Sequence, residues 1–273
     1  MKEKNKKIID FHVHTFPDSL AERAIANLLT CLDSSYIPVH NGTTGGLLEY
    51  MDKSGVDMSV IQPIVTKQSQ TKTVNEHAAE INAEYSGRII SFGGISPHTD
   101  DYKRDIDFIA GLGLRGLKFH PEYQNFVVDD EKALKIYDYA LSKNLILFFH
   151  AGSDFAFNYP YRSNPEKFAR IAREMKGGVI IAAHFGGHGQ WEEVYESLAG
   201  ENIYFDTSMG FEYFTREQFL KILKKHGANK ILFGSDSPWS DAKQEVEILK
   251  KMPVSQSDIE LILSGNAKRI LGI

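Results

Sequence analysis

Two histidines one residue apart, His12 and His14, close the apolar run Ile8-Ile9-Asp10-Phe11. In a strand, alternate side chains share a face, so both imidazoles can reach one metal ion. Comparable residues recur along the chain, each time directly after an apolar run. Gly116-Leu117 leads into Lys118 and His120, and Leu147-Phe148-Phe149 into His150. Ile181-Ala182-Ala183 leads into His184, and Phe233-Gly234-Ser235 into Asp236. Neutral imidazole and carboxylate suit Zn²⁺, with Mn²⁺ or another first-row divalent ion as the alternative. His12, His14, His150 and Asp236 would hold one ion and leave a position for water, whose pKa a metal lowers to about 7. Asp236 would take a proton from that water and pass it to a leaving group. His184 would bind the ion, hold the water or polarise a substrate carbonyl. Lys118 would serve a substrate oxygen as a cation, be carboxylated to bridge two metals, or simply pair with a carboxylate. His120 shares a strand face with Lys118 by parity and is expected to face the substrate.

These residues need elements that deliver them to one place. Eight runs rich in apolar and β-branched residues lie at 8–13, 56–61, 88–95, 114–119, 145–149, 179–183, 203–206 and 230–233. Each is nearly uniformly apolar, as expected of strands covered on both faces. Helix-like stretches alternate with them at 74–85, 102–110, 129–141, 165–175, 191–198, 216–226 and 242–250. Asn164 caps the fourth of these, with Pro165 at its first position. Eight strands alternating with helices predict a parallel α/β fold closed into a single (β/α)₈ TIM barrel over residues 1–273. No glycine-rich dinucleotide fingerprint follows the first strand. Such a barrel builds its site at the C-terminal ends of several strands, which is where the candidate residues fall. The first connection, residues 15–55, is unusually long, with helices expected at 20–31 and 47–53. Long connections often form lids or binding loops.

The bulk properties agree. The chain has 273 residues, 42% apolar and 25% charged, enough for a large core. A net charge of −5 argues against a nucleic-acid partner. The single cysteine, Cys31, excludes an internal disulfide and fits a reducing cytoplasm. The basic stretch 2–7 is neither a signal peptide nor a membrane span, so no membrane partner is expected. A small-molecule substrate is the expected partner, and a homo-oligomer is compatible with the sequence.

The ordered set of motifs resembles the amidohydrolase superfamily, in its amidohydrolase-2 branch. The matching stretches are Asp10-Phe-His12-Val-His14, Gly116-Leu-Lys118-Phe-His120-Pro121, Phe149-His150-Ala-Gly152, Ala183-His184-Phe-Gly-Gly187, Tyr204-Phe-Asp206-Thr-Ser208 and Phe233-Gly-Ser-Asp236-Ser-Pro238-Trp239. The closing Gly265-Asn266 to Gly272 completes them. The resemblance implies that His12, His14, His150 and Asp236 are metal ligands and that His184 orients or activates water. It implies hydrolysis of C–N or C–O bonds, or decarboxylation of unsaturated or aromatic acids. The leading expectation is a metal-dependent hydrolase of a small amide, ester or lactone; the alternative is a non-oxidative decarboxylase on the same scaffold. A phosphoesterase relative and a non-catalytic metal binder are weaker alternatives.

After His150, the stretch from Ser153 to Arg162 carries Phe155, Phe157, Tyr159 and Tyr161. It is expected to wall the pocket, with Arg162 gripping a carboxylate bidentately. Phe211, Tyr213 and Phe214 make a similar case. Glu122 is expected to be a solvated loop residue, His77 and His226 to lie on the surface, and His98 and His188 to line the mouth.

Overall fold

A computed structural model describes residues 7–31, 37–175 and 177–273. Most of the basic N-terminal stretch and part of the long first connection thus lie outside the described residues. The strands are β1 (Ile9–Val13), β2 (Met58–Ile61), β3 (Ile89–Ser91), β4 (Gly93–Gly94), β5 (Gly116–Phe119), β6 (Ile146–Phe149), β7 (Ile180–Ala182), β8 (Tyr204–Asp206) and β9 (Ile231–Leu232). All pair in parallel, as β1-β2-β3 and as β4-β5-β6-β7-β8-β9.

The run 88–95, expected as one strand, is broken at Phe92. Carboxamides from α3 (Thr71–Glu84) take over its backbone there. Asn75 bonds both the N–H and the carbonyl of Gly94, at 2.9 and 2.8 Å, and Asn82 does the same at Ser91. A Cβ on Gly93 would meet the Asn75 side chain at 2.4 Å, so only glycine fits. The barrel closes where β1 meets the chain beyond β9. The N–H of Phe11 donates to Phe233 O at 2.8 Å, that of Asp236 to His12 O at 2.7 Å, and that of His14 to Ser237 O at 2.7 Å.

Every residue of β1 is buried, the polar Asp10 and His12 included, and both of these are hydrogen-bonded. Its register against β2 slips by one residue between Asp10 and Val13. Ile9 and Phe11 therefore pack in the inner cluster with Phe92 and Phe148, while Val13 joins the outer layer. A bulge of this kind re-aims side chains beside active sites. Here it delivers His12 and His14 to the strand end.

Helices cover the outside. The long first connection carries α1 (Asp18–Leu29) and α2 (Thr44–Ser54), the second capped by Thr43 Oγ1 and stopped at Gly55, whose φ is 79°. After α4 (Tyr102–Gly111), α5 (Glu131–Ser142) and α6 (Pro165–Glu174), the expected helix at 191–198 is only α7 (Trp191–Glu193) running into a π turn. Then come α8 (Arg216–His226), α9 (Ala242–Lys251), α10 (Gln256–Glu260) and α11 (Asn266–Leu271). Ala267 and Leu271 of α11 plug the inner cluster at the floor of the barrel. Among the described residues, no helix is long and apolar enough to cross a membrane.

Candidate metal centre

At the strand C-terminal ends, His12 Nε2, His14 Nε2 and Asp236 Oδ1 form a tight triangle. The two ring nitrogens are 3.2 Å apart and lie 3.3 and 3.0 Å from the carboxylate oxygen. Donor atoms sharing a metal at bonds of about 2.1 Å sit about 3.0–3.4 Å from one another. The surroundings also fix which atoms point inward. His12 Nδ1 lies 3.0 Å from Asp206 Oδ2, an obligate acceptor, so it carries the proton and leaves the Nε2 lone pair facing Asp236. Asp236 Oδ1 is buried without a hydrogen-bond donor. The His12 Nε2 lone pair, which Lys118 Nζ also approaches at 3.1 Å, the His14 Nε2 atom and a buried carboxylate oxygen thus converge on one point, a donor set that suits a cation.

His150 is oriented by His184 beside this triangle. His184 Nδ1 faces the carbonyl of Ser208 at 3.2 Å and so carries the proton. Its Nε2 must then accept from His150 Nδ1, 3.0 Å away. That leaves His150 Nε2 as a bare lone pair, buried and without a partner. It lies in a cluster with His120 and Asp154, not in the His12–His14–Asp236 triangle. The ring of His120 stacks on that of His150 with centroids 4.1 Å apart, and His120 Nε2 faces Asp154 Oδ2 at 3.4 Å.

Protonation states suit ligation. Burial pushes His12, His120, His150 and His184 well below the usual imidazole range, so they stay neutral, the form that binds metals. For Asp236, burial pushes the carboxyl up, and its contacts with His12 and His14 pull it down, with the net direction below the usual carboxylate range. Lys118 is buried 3.1 Å from His12 Nε2 and 4.4 Å from the centroid of Phe148. Burial lowers it to about 8. Its near partners are these rings rather than a carboxylate.

A second layer holds the ligands, and sequence reasoning gave it no role. Asp206, fully buried at the end of β8, accepts from His12 Nδ1, from the N–H groups of His184 and Ser208, and from Ser208 Oγ. Asp10 accepts from Ser235 N, Ser235 Oγ and His12 N, tying the first strand to the last. Asp236 itself has φ 66°, in the left-handed region, where Asp is tolerated better than most residues. The legible signal was Asp206-Thr-Ser208, a polar triplet at a strand end like the others.

The site opens into a cavity of about 870 Å³ whose walls include His12, His14, Lys118, His120, His150, His184, His188, Asp236 and Phe155. Several expectations need correction. Arg162 is not among these walls. Its Nη1 bonds Glu122 Oε2 at 3.0 Å, its N–H bonds Glu122 Oε1 at 2.6 Å, and Nη2 bonds Asn125 at 2.9 Å. Glu122, expected in solvent, is 2% exposed, and a buried carboxylate needs that cation. Of the loop aromatics only Phe155 lines the cavity; Phe157 packs on Tyr123 and Tyr159 is exposed. His226 is buried against Phe205, with ring centroids 3.9 Å apart. His98 bonds the carbonyl of Gln124 instead of lining the mouth. His77, exposed as expected, borders the outer cavity. His184 uses both ring nitrogens on Ser208 and His150, so in this arrangement it positions a ligand.

This chain belongs to the amidohydrolase family. The family profile matches residues 9–273. No curated protein matches the sequence. Among solved structures, the chain is similar to 5-carboxyvanillate decarboxylase LigW from Sphingomonas paucimobilis, at 17% identity and TM-score 0.70 over 98% of this chain and 99% of that one. It is similar to a manganese-bound dihydroxybenzoic acid decarboxylase from Polaromonas, at 14% identity and TM-score 0.72 over 97% of each chain. It is also similar to a probable 2-pyrone-4,6-dicarboxylic acid hydrolase from Acinetobacter baumannii, at 15% identity and TM-score 0.67 over 98% of this chain and 100% of that one. At these identities the likeness concerns the TIM-barrel fold.

Proposed function

We propose that this amidohydrolase is a metal-dependent hydrolase of an amide, ester or lactone bond in a small molecule. The observation that supports it best is Asp236: buried, its Oδ1 within 3.0–3.3 Å of an imidazole nitrogen of both His12 and His14, in the wall of a large cavity. His12, His14 and Asp236 would hold one divalent ion, with His150 Nε2 turned to the same cavity as the fourth donor. Zn²⁺ suits this donor set, and Mn²⁺ is the alternative. A divalent ion there supplies Lewis acidity and acidifies a water ligand. The free oxygen of Asp236 accepts the proton released as the bond is attacked and returns it to the leaving group. Lys118 offers a cation on the same wall for a substrate oxygen. Asp206 and Asp10 fix the ligand orientations, which lowers reorganisation during the reaction.

A decarboxylase is the second reading, favoured by the number of decarboxylases among the structural neighbours. The two separate in one experiment. The metal-loaded protein is incubated with a panel of lactones, amides, esters and unsaturated or aromatic acids, with acid formation and carbon dioxide followed together. Hydrolysis gives a new acid without gas. Carbon dioxide release without a water-derived product would overturn the hydrolase reading.

A further inference from the structure

The cavity is larger and more apolar than a metal centre requires. From the histidines it runs outward as one continuous space between α1 and α3. At about 870 Å³ it lies at the upper end of the range of about 300–1,000 Å³ usual for small-molecule sites. Phe16, Leu20 and Leu28 wall one side; Ile64, Val74 and Ile81 wall the other. On α1, Ala21 and Ile25 are the buried anchors, and Leu20 and Leu28 widen that stripe towards the cavity. Leu20 is 42% exposed, a large apolar side chain only partly covered.

Charge is distributed just as unevenly. Among the described residues, Lys118 is the only lysine or arginine in the wall, and it sits beside His12. The charged groups of the outer part are Glu76 and Glu80. Arg162, the other cation nearby in sequence, is consumed by Glu122. Glu76 is already paired with Lys72, and the rest of the outer wall is hydrocarbon with neutral polar groups such as Gln62, Thr66 and Gln70, so among the described residues a second anionic group on a substrate finds no unpaired lysine or arginine there.

We infer that the substrate carries an uncharged alkyl or aryl arm, which lies between α1 and α3 while its reactive carbonyl sits at the metal centre. Dicarboxylic substrates are excluded by the same walls. This inference rests on the metal-centre reading for the position of the polar end, and the test separates the two.

Straight-chain hydroxamates from acetyl to octanoyl, which chelate divalent ions through their head group, are titrated calorimetrically into the metal-loaded protein. The eight-carbon dicarboxylic monohydroxamate is the charged control. Full burial of a methylene tightens binding about fourfold and partial burial about twofold. The expected result is a two- to fourfold gain per methylene, lost when the chain ends in a carboxylate. Leu20→Asp and Leu28→Asp should abolish the gain while leaving acetohydroxamate affinity unchanged. Affinity independent of chain length, or a gain that survives both substitutions, overturns the inference. If octanohydroxamate binds and acetohydroxamate does not, with or without metal, the apolar arm stands and the metal centre falls. If neither binds, both readings fall.

Discussion

Replacing Arg162 with methionine should lower stability and leave ligand affinity untouched. Among the described residues the guanidinium is the only cation bonded to Glu122, whose side chain is 0% exposed against 36% for Arg162. Removing one partner of a buried pair costs about 3–5 kcal/mol. Two features reduce that here. Arg162 is partly solvated, and its backbone N–H, which the substitution keeps, still donates to Glu122 Oε1 at 2.6 Å. About 2 kcal/mol is the resulting expectation, which for a chain of this size lowers Tm by about 4–8 °C. Adding Glu122→Gln removes the stranded charge, so the double variant should recover about 1 kcal/mol of the loss. The assay is thermal unfolding followed by circular dichroism on the metal-loaded single and double variants. Calorimetry with octanohydroxamate and with the dicarboxylic monohydroxamate runs alongside. An unchanged Tm together with weakened binding of the carboxylate-bearing ligand would put Arg162 at the substrate and refute the structural role given to it.

Three further outcomes are expected. Asp236→Asn should lower turnover on any substrate found by about 10²–10⁴-fold while the circular dichroism spectrum stays native; wild-type turnover would remove Asp236 from proton transfer. Asp206→Asn should weaken metal binding by about 10–100-fold in a competition titration with a chelator, because His12 loses the partner that fixes its tautomer; unaltered affinity would count against this role. Burial raises Glu245 from 4.5 to about 8. Between those values the unfolded chain has released a proton that the folded protein retains, so stability falls as pH rises from about 4.5 to about 8. Glu245→Gln should therefore match the parent near pH 4 and exceed it near pH 9 by at most about 5 kcal/mol in urea unfolding. Equal stabilities at both pH values would show that Glu245 titrates normally.

The ligand candidates were readable because each follows an apolar strand, and parallel barrels place strand ends on one face. His12, His14 and Asp236 needed only that rule. The residues behind them were harder to assign. Asp206 and Asp10 look like ordinary polar residues until the fold brings them against His12 and Ser235 from distant parts of the chain. Arg162 misled for a related reason. A basic residue in an aromatic loop reads as a ligand clamp, and only burial of Glu122, set by three-dimensional packing, shows that the guanidinium is already taken. The break in the third strand was hidden likewise, since it depends on carboxamides from α3 replacing ladder hydrogen bonds.

The seam between β1 and the chain beyond β9 bears on how the protein is made. Asp10 and Ser235, which hold that seam, are 225 positions apart. The proposed metal-binding triangle straddles it, with His12 and His14 on one side and Asp236 on the other. During synthesis, two histidines leave the ribosome early and wait for nearly the whole barrel before their carboxylate partner appears. An ion held by all three, as proposed, would be captured only late, and would then tie the first strand to the last, closing the longest loop the barrel has to close.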